Sequence, residues 1–91
     1  MSRRDVDTIK DPVWKQLINN LRANVIYYRE KKKWTQADLA EKSKLNVATI
    51  ADIEQGKAIN PRIESIAALT TAFKLADPLS LLKRPTFKLD H

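Results

Sequence analysis

The chain has 91 residues, which suffices for one small domain whose apolar side chains must be buried efficiently. Seventeen Lys and Arg residues against eleven Asp and Glu residues give a net charge of +6, which favours a polyanionic partner. The lack of cysteine excludes a disulfide framework, and no apolar run reaches membrane-spanning length. No signal peptide is visible, so we expect a cytoplasmic protein without a membrane partner.

The chain is predicted to begin with a flexible arm, residues 1–11, because this stretch mixes acidic and basic side chains and shows no apolar period. Asp11 followed by Pro12 is a typical helix start, with proline at the first helical position. Apolar side chains then recur at helical spacing and predict one long helix from residue 12 to about residue 32. These side chains are Trp14, Leu17, Ile18, Leu21, Val25 and Tyr28. Two roles stay open for Trp14, namely cover for the core and contact with a second subunit.

The next stretch, residues 36–55, is predicted to form two short helices joined by a turn of about three residues. Thr35 and Asp38 have the spacing of a capping box, so the first helix should begin at residue 36. Asn46 offers an N-cap for a second helix, and Gly56, the only glycine, is a natural left-handed stop. The apolar spacing alone also suits other small helical domains. The marked starts and the marked end favour a helix-turn-helix.

Two further helices are predicted after this motif. A helix over about residues 62–73 carries an inward apolar face. That face is predicted to comprise Ile63, Ile66, Leu69, Ala72 and Phe73. Asp77 and Pro78 repeat the cap and proline seen earlier and predict a short fifth helix over residues 78–82. Residues 83–91 form a C-terminal tail, either disordered or a strand that pairs with another chain, because Pro85 prevents a helix from continuing.

Four features carry a family resemblance: Arg29 ahead of the motif, T-Q-A-D-L-A at residues 35–40, I-A-D-I-E-Q-G at 50–56, and N-P-R-I-E-S-I-A-A-L at 60–69. With these the chain resembles the DNA-binding domain of the Cro and lambda-repressor family, also called the Xre family. The resemblance covers about residues 21–82. It implies an all-α, compact five-helix bundle whose third helix lies in the DNA major groove and which binds as a dimer. We therefore expect a DNA-binding domain over residues 12–82 with an extended first helix.

The second helix of the motif is predicted to read base edges, because such a helix points its first residues into the major groove. The candidate readers are Asn46, Val47, Ala48, Thr49 and Asp52. Their apolar groups suit thymine methyl groups, and the Asp52 carboxylate suits the cytosine amine. The family often carries Gln, Ser or Arg at positions 47, 48 and 52, so this chain departs from its pattern and we expect modest specificity. The alternative is a skewed fold in which this helix does not read bases.

Backbone phosphates are a second predicted target. Gln36 matches the family residue that bonds a phosphate, and the amides at a helix N-terminus attract anions in any case. Further phosphate contacts are predicted for Lys44, Gln55, Lys57 and Arg62. The lysines at positions 31–33 have two interpretations, an anion contact and a solvated helix end that complements the helix dipole. We favour the second.

A structural ion pair is implied by the resemblance. Arg29 and Glu54 match two family positions that pair beneath the motif, so we expect a bidentate contact that ties the recognition helix to the first helix. Trp34 stands where the family has an aliphatic residue, and we expect its ring to pack in the core.

Catalysis finds little support, because His91 is the single histidine and the chain has neither cysteine nor a glycine-rich phosphate loop. We expect no catalytic residue, no metal site and no cofactor. The leading function is a transcriptional regulator, a repressor or an activator, that binds double-stranded DNA as a homodimer. The rival is an antitoxin-type module that binds a partner toxin and uses DNA only to regulate its own operon.

Overall fold

The computed structural model describes residues 5–85, and this part of the chain is all-helical. Its four α-helices are α1 (Pro12–Lys31), α2 (Gln36–Ser43), α3 (Val47–Glu54) and α4 (Ile63–Ala72). Two single 3-10 turns flank them, an N-terminal turn at Val6–Thr8 and a C-terminal turn at Ser80–Leu82. The expected all-α class is confirmed. The predicted fifth helix over residues 78–82 is not confirmed as an α-helix, since within this segment only the 3-10 turn at Ser80–Leu82 forms.

Helix α1 starts and ends close to its predicted bounds. The Asp11 carboxylate accepts hydrogen bonds from the amides of Val13 (2.9 Å) and Trp14 (3.5 Å), and Pro12 occupies the first turn. On the side of α1 that faces the C-terminal turn, the Asn24 amide donates to the carbonyls of Leu81 (2.9 Å) and Lys83 (3.0 Å). The buried side-chain amide of Asn24 therefore attaches the C-terminal turn to α1. None of the helices within residues 5–85 is long and apolar enough to cross a bilayer.

The capping box at the start of α2 is confirmed. Thr35 Oγ1 accepts from the Asp38 amide at 3.0 Å, and the Asp38 carboxylate accepts from the Thr35 amide at 2.9 Å. The hydrogen bond that the Thr35 amide donates to the carboxylate, with a smaller contribution from the Thr35 side chain, lowers the pKa of the Asp38 carboxyl below its usual value. The turn to α3 spans residues 44–46 and is made by Lys44 in the left-handed conformation, with φ of 63°. Asn46 holds the N-cap position of α3, but its side chain makes no capping hydrogen bond with any residue that the structure describes.

The main core lies between all four helices and the C-terminal turn. Its fully or nearly buried members are Leu21, Val25, Leu39, Ile50, Ile53, Leu69, Phe73 and Leu81. Trp34 is half-buried and stacks on Phe73, with ring centroids 6.1 Å apart and planes inclined by 15°. Trp34 therefore extends the core, and two cations, Lys32 and Lys42, lie over its ring at 5.4 and 5.7 Å.

Helix α4 departs from the prediction at its first residue. Ile63, predicted to face inward, is 82% exposed. The buried positions of α4 are Ser65, Leu69 and Thr70, with Phe73 following at its C-cap. Ile63 lies on nearly the same side of the helix as Thr70, seven residues further on, but it is the first residue of the helix. The start of α4 therefore presents a large apolar side chain to solvent.

The N-terminal segment is ordered from residue 5 onward, contrary to the prediction of a flexible arm. Val6 and Ile9 are 4% and 5% exposed and form a small cluster with Ile18 and Ile59. The Val6 amide donates to the Gly56 carbonyl at 2.7 Å, so this segment packs on the chain just after α3. The signal in the sequence was the three-residue spacing of Val6 and Ile9. Residues 1–4 of the arm, and residues 86–91 of the predicted tail, lie outside the described residues.

Trp14 belongs to the same region. Its indole N–H donates to the Ile59 carbonyl at 2.7 Å, while its side chain stays 38% exposed. It thus covers the edge of the small cluster. Its neighbours on α1, Val13 and Leu17, are 66% and 40% exposed and form a separate apolar patch.

Replacing Gly56 with Ala should lower the free energy of unfolding by about 1–2 kcal/mol, because a left-handed backbone disfavours a side chain. Gly56 has φ of 77°, and an added Cβ would lie 3.0 Å from Val6 Cγ1 and 3.2 Å from Arg22 Nη1. Urea denaturation measures the change. In a Val6→Ala background the same substitution should cost less, since one crowded contact is then gone. Equal stability of Gly56→Ala and the parent would contradict this account.

Candidate nucleic-acid interface

The outer face of α3 carries the predicted base readers. Asn46, Val47, Ala48 and Asp52 are exposed and Thr49 is half-buried at the edge of the same face. The opposite side of the helix is buried, because Ile50 is 0% and Ile53 3% exposed. This division follows the helical period, which separates positions 48 and 52 from positions 50 and 53. Val47, 48% exposed, leaves an apolar side chain in solvent at the first turn of the helix.

Positive side chains lie at both ends of α3. Lys44 stands in the turn before the helix and Lys57 follows shortly after it, and both are exposed. An eight-residue helix is about 12 Å long, and one lysine lies in the turn at each of its ends. Gln55, the C-cap residue, is exposed between them. The arrangement suits contacts with the phosphates on either side of a groove.

Arg62 joins this surface from the start of α4. It lines a shallow cavity of about 230 Å³ together with Thr49 and Asp52 of α3, so Arg62 lies next to that helix. Arg62 also pairs with Glu64 at 3.1 Å, but the two side chains are 78% and 72% exposed. An ion pair this open to water contributes little, so Arg62 exchanges it readily for another anion. We call the surface formed by residues 44–49, 52, 55, 57 and 62 the reading face.

Gln36 has a different environment from the other phosphate candidates. Its side-chain amide donates to Glu54 Oε1 at 3.0 Å, and the residue is half-buried. An amide nitrogen carries two hydrogens, so one N–H remains for an anion. Gln36 therefore lies between the reading face and the ion pair beneath it.

Arg29 and Glu54 form a two-pronged ion pair. Arg29 Nε lies 2.6 Å from Glu54 Oε2, and Nη2 donates to Oε1 at 3.0 Å. The third nitrogen, Nη1, donates to the Trp34 carbonyl at 2.8 Å. The side chains are only 15% and 7% exposed. The hydrogen bond to Glu54 raises the pKa of the Arg29 guanidinium above its usual value, although burial acts in the opposite direction.

Arg22 is a structural contact that the sequence prediction missed. Its Nε donates to the backbone carbonyl of Glu54, the last residue of α3, at 3.0 Å. Arg22 lies seven residues before Arg29 and so on the same face of α1, which is the signal that could have found it. The end of α3 is thus held by α1 through two arginines.

The three lysines at the end of α1 are exposed, and two of them have contacts within the chain. Lys31 donates to the Tyr27 hydroxyl at 3.2 Å, and Lys32 lies over the Trp34 ring. Lys33 takes the left-handed conformation, with φ of 60°. This geometry supports their interpretation as a solvated helix end. Within residues 5–85 no group of three or more His, Cys, Asp and Glu residues is placed to hold a metal ion.

The comparisons with known proteins agree with this geometry. A family model described as helix-turn-helix matches residues 25–79, more than half of the chain. The matched region contains every residue of the reading face and the Arg29–Glu54 pair. No curated protein and no solved structure matches the chain.

Replacing Glu54 with Gln should lower the free energy of unfolding by about 3 kcal/mol, because it leaves the buried Arg29 guanidinium without a negative partner. Thermal and urea melts measure the loss. The matched control is Glu64→Gln, which removes the carboxylate of the exposed Arg62–Glu64 pair and should leave the melt unchanged. A Glu54→Gln melt that coincides with that of the control would contradict a structural role for the pair.

Proposed function

The chain belongs to the helix-turn-helix family of Cro- and lambda-repressor-like DNA-binding proteins, and we propose that it represses transcription as a homodimer bound to a palindromic operator. Family membership supports a DNA-binding transcription regulator in general terms. The observation that carries the proposal is the outer face of α3, exposed from its first residue and flanked by Lys44 and Lys57. An operator with two-fold symmetry would then present half-sites about 34 Å apart.

Base recognition rests on the exposed residues of the first turns of α3. Val47 and Ala48, with the Thr49 methyl group, offer apolar contacts for the methyl groups of thymine. Asp52 can accept a hydrogen bond from the amine of cytosine, and Asn46 can pair with adenine through two hydrogen bonds. No arginine lies within α3 to bind guanine, so discrimination depends on weaker contacts.

Affinity rests on the phosphate contacts. Lys44, Lys57 and Arg62 supply positive charge around α3, and Gln36 adds an N–H at the start of α2. The neutralisation of Glu54 by Arg29 matters here as well, because it cancels a carboxylate directly behind the reading face. Asp52 is the remaining negative group on this surface. Its carboxylate repels phosphates and binds only a base that donates a hydrogen bond to it.

A protein-binding role remains a second candidate, and one observation favours it. Val13 and Leu17 are exposed at the beginning of α1, ahead of the region that the family model matches. An antitoxin-type module would use such an apolar patch to bind its partner. Leu17→Asp would then abolish toxin neutralisation and leave DNA binding intact. If the chain acts only as a regulator, no neutralisation of a neighbouring toxin by the parent is expected.

Lys44→Gln should reduce the salt dependence of DNA binding. If Lys44 neutralises one phosphate, the slope of log K against log salt loses about one unit and binding weakens on all sequences. Fluorescence anisotropy with a duplex from the region upstream of the protein's own gene gives the slope. The matched control is Lys74→Gln, which removes the same charge from a second left-handed lysine, with φ of 58°, at the far end of α4. Equal slopes for the two variants would count against the reading face.

Asp52→Asn should raise the affinity for arbitrary duplexes and lower the preference for the operator. The substitution removes a negative charge that faces phosphates, and it replaces a pure acceptor with a group that also donates. Competition binding between operator and scrambled duplexes measures the ratio. A preference unchanged by the substitution would show that Asp52 does not read a base.

A further inference from the structure

We propose that the N-terminal part of the chain positions two of the predicted phosphate-binding cations, Lys57 and Arg62, by holding the loop that carries them. This α3–α4 loop comprises residues 55–62, between the end of α3 and the start of α4. Residues 5–22, which include the N-terminal turn and the first half of α1, are called the N-terminal clamp. The inference rests on the proposed function for its purpose, since the two cations serve DNA binding. Its evidence is a set of hydrogen bonds and apolar contacts.

Three backbone carbonyls at or after the end of α3 accept hydrogen bonds from the N-terminal clamp. The three bonds run from Arg22 Nε to the Glu54 carbonyl at 3.0 Å, from the Val6 amide to the Gly56 carbonyl at 2.7 Å, and from the Trp14 indole N–H to the Ile59 carbonyl at 2.7 Å. All three donors precede residue 25, where the helix-turn-helix match begins. The hold on the loop therefore comes from a part of the chain outside the matched region.

These hydrogen bonds do more than satisfy polar groups. Carbonyls at a helix end or in a surface loop can bind water, so a donor from a distant part of the chain is not needed. Apolar packing holds the loop at the same place. Ile59, its only large apolar residue, is 8% exposed and packs with Val6, Ile9 and Ile18 of the clamp. The clamp therefore fixes both the backbone and a side chain of the loop.

The two anchored loop carbonyls, those of Gly56 and Ile59, lie on either side of Lys57. The Lys57 amide also donates to the Asp52 carbonyl of α3 at 2.8 Å. The backbone of Lys57 is thus held while its side chain is exposed. Arg62 follows the Ile59 anchor by three residues and lines the shallow cavity together with Asp52. Both cations are therefore carried by a loop of fixed position next to α3.

A loop that is already ordered should bind phosphates more tightly than a mobile one. A mobile loop loses conformational entropy when its cations contact DNA, and this loss weakens binding. With the loop held, only the side chains of Lys57 and Arg62 lose freedom. Val6 and Trp14 are therefore positioning residues, which act on DNA binding through the loop.

The clamp can be released without changing a residue of the reading face. Trp14→Phe removes the indole donor and keeps an aromatic ring. Val6→Pro removes the amide donor at the first residue of the N-terminal turn, where proline is tolerated, and Asp5 before it is already extended. The two together make the clamp variant. The matched control is Ile18→Val, which loosens the same small cluster and keeps both hydrogen bonds.

Amide hydrogen exchange of the full chain without DNA measures the hold on the loop. In the clamp variant the Lys57 amide should exchange at least about fivefold faster than in the parent, since a hydrogen bond typically shifts an equilibrium by about that factor. Amides in the core of α1 should exchange no faster than in the Ile18→Val control. Trp14→Phe alone gives the same test if the clamp variant does not fold. An unchanged Lys57 rate would overturn the proposal.

DNA binding, measured where each variant is fully folded, links this hold to the cations. The clamp variant should bind at least about fivefold more weakly than the parent, and Ile18→Val should bind as the parent does. Lys57→Gln should lower the slope of log K against log salt by about one unit in the parent and by less than about half a unit in the clamp variant. A merely structural role would leave that loss unchanged, because a folded chain keeps its phosphate contact.

Equal losses of slope in the two backgrounds, or full affinity in the clamp variant, would overturn the proposal and leave the regulator standing. A parent that binds no duplex at any salt concentration would instead refute the proposed regulator, and with it the purpose assigned to the clamp.

Discussion

The buried Glu54 carboxylate is the constraint on which the arrangement of the helices depends. One negative charge near the end of α3 binds Arg29 of α1 through two hydrogen bonds and Gln36 of α2 through a third. A carboxylate this little exposed is tolerated only with such partners, because water no longer solvates it. The same contacts fix the angle of α3 against two helices. The orientation of α3 is therefore fixed by the polar contacts of Glu54 as well as by the packing of Ile50 and Ile53 in the core.

Local signals explain most of what could be predicted about the fold. Helix starts depend on side chains only two or three residues away, so the Asp11 cap and the Thr35–Asp38 box placed α1 and α2 correctly. The helix ends carry fewer local signals, although the predicted ends of α1, α3 and α4 agree with the observed ones to about one residue. This chain has a single glycine, and lysines in the left-handed conformation take the usual place of glycine after α1, α2 and α4. Lysine has no preference for this conformation, so these residues carry no signal of a helix end in the sequence. Lys44 shows what such a cap offers, since it closes α2 and adds a positive charge ahead of α3.

Long-range packing explains what could not be predicted. Val6 and Ile9 lie in a polar stretch, and their burial depends on Ile59, which the chain brings close only after α3 is in place. The exposure of Ile63 likewise depends on how far the core extends along α4, because Thr70 lies on nearly the same side of the helix and is buried. For the candidate site the ion pair came from the family resemblance. The chemistry of each base contact stays a prediction, because it depends on the DNA as much as on this chain.

The hydrogen bond from Val6 to Gly56 carries a consequence for biosynthesis. A ribosome makes the N-terminal segment well before it makes the residues on which that segment packs. Ile18 of α1 is available to Val6 and Ile9 early, whereas Ile59 and the Gly56 carbonyl are synthesised only after α3. The contacts of the N-terminal segment are therefore complete only once the loop after α3 has been made.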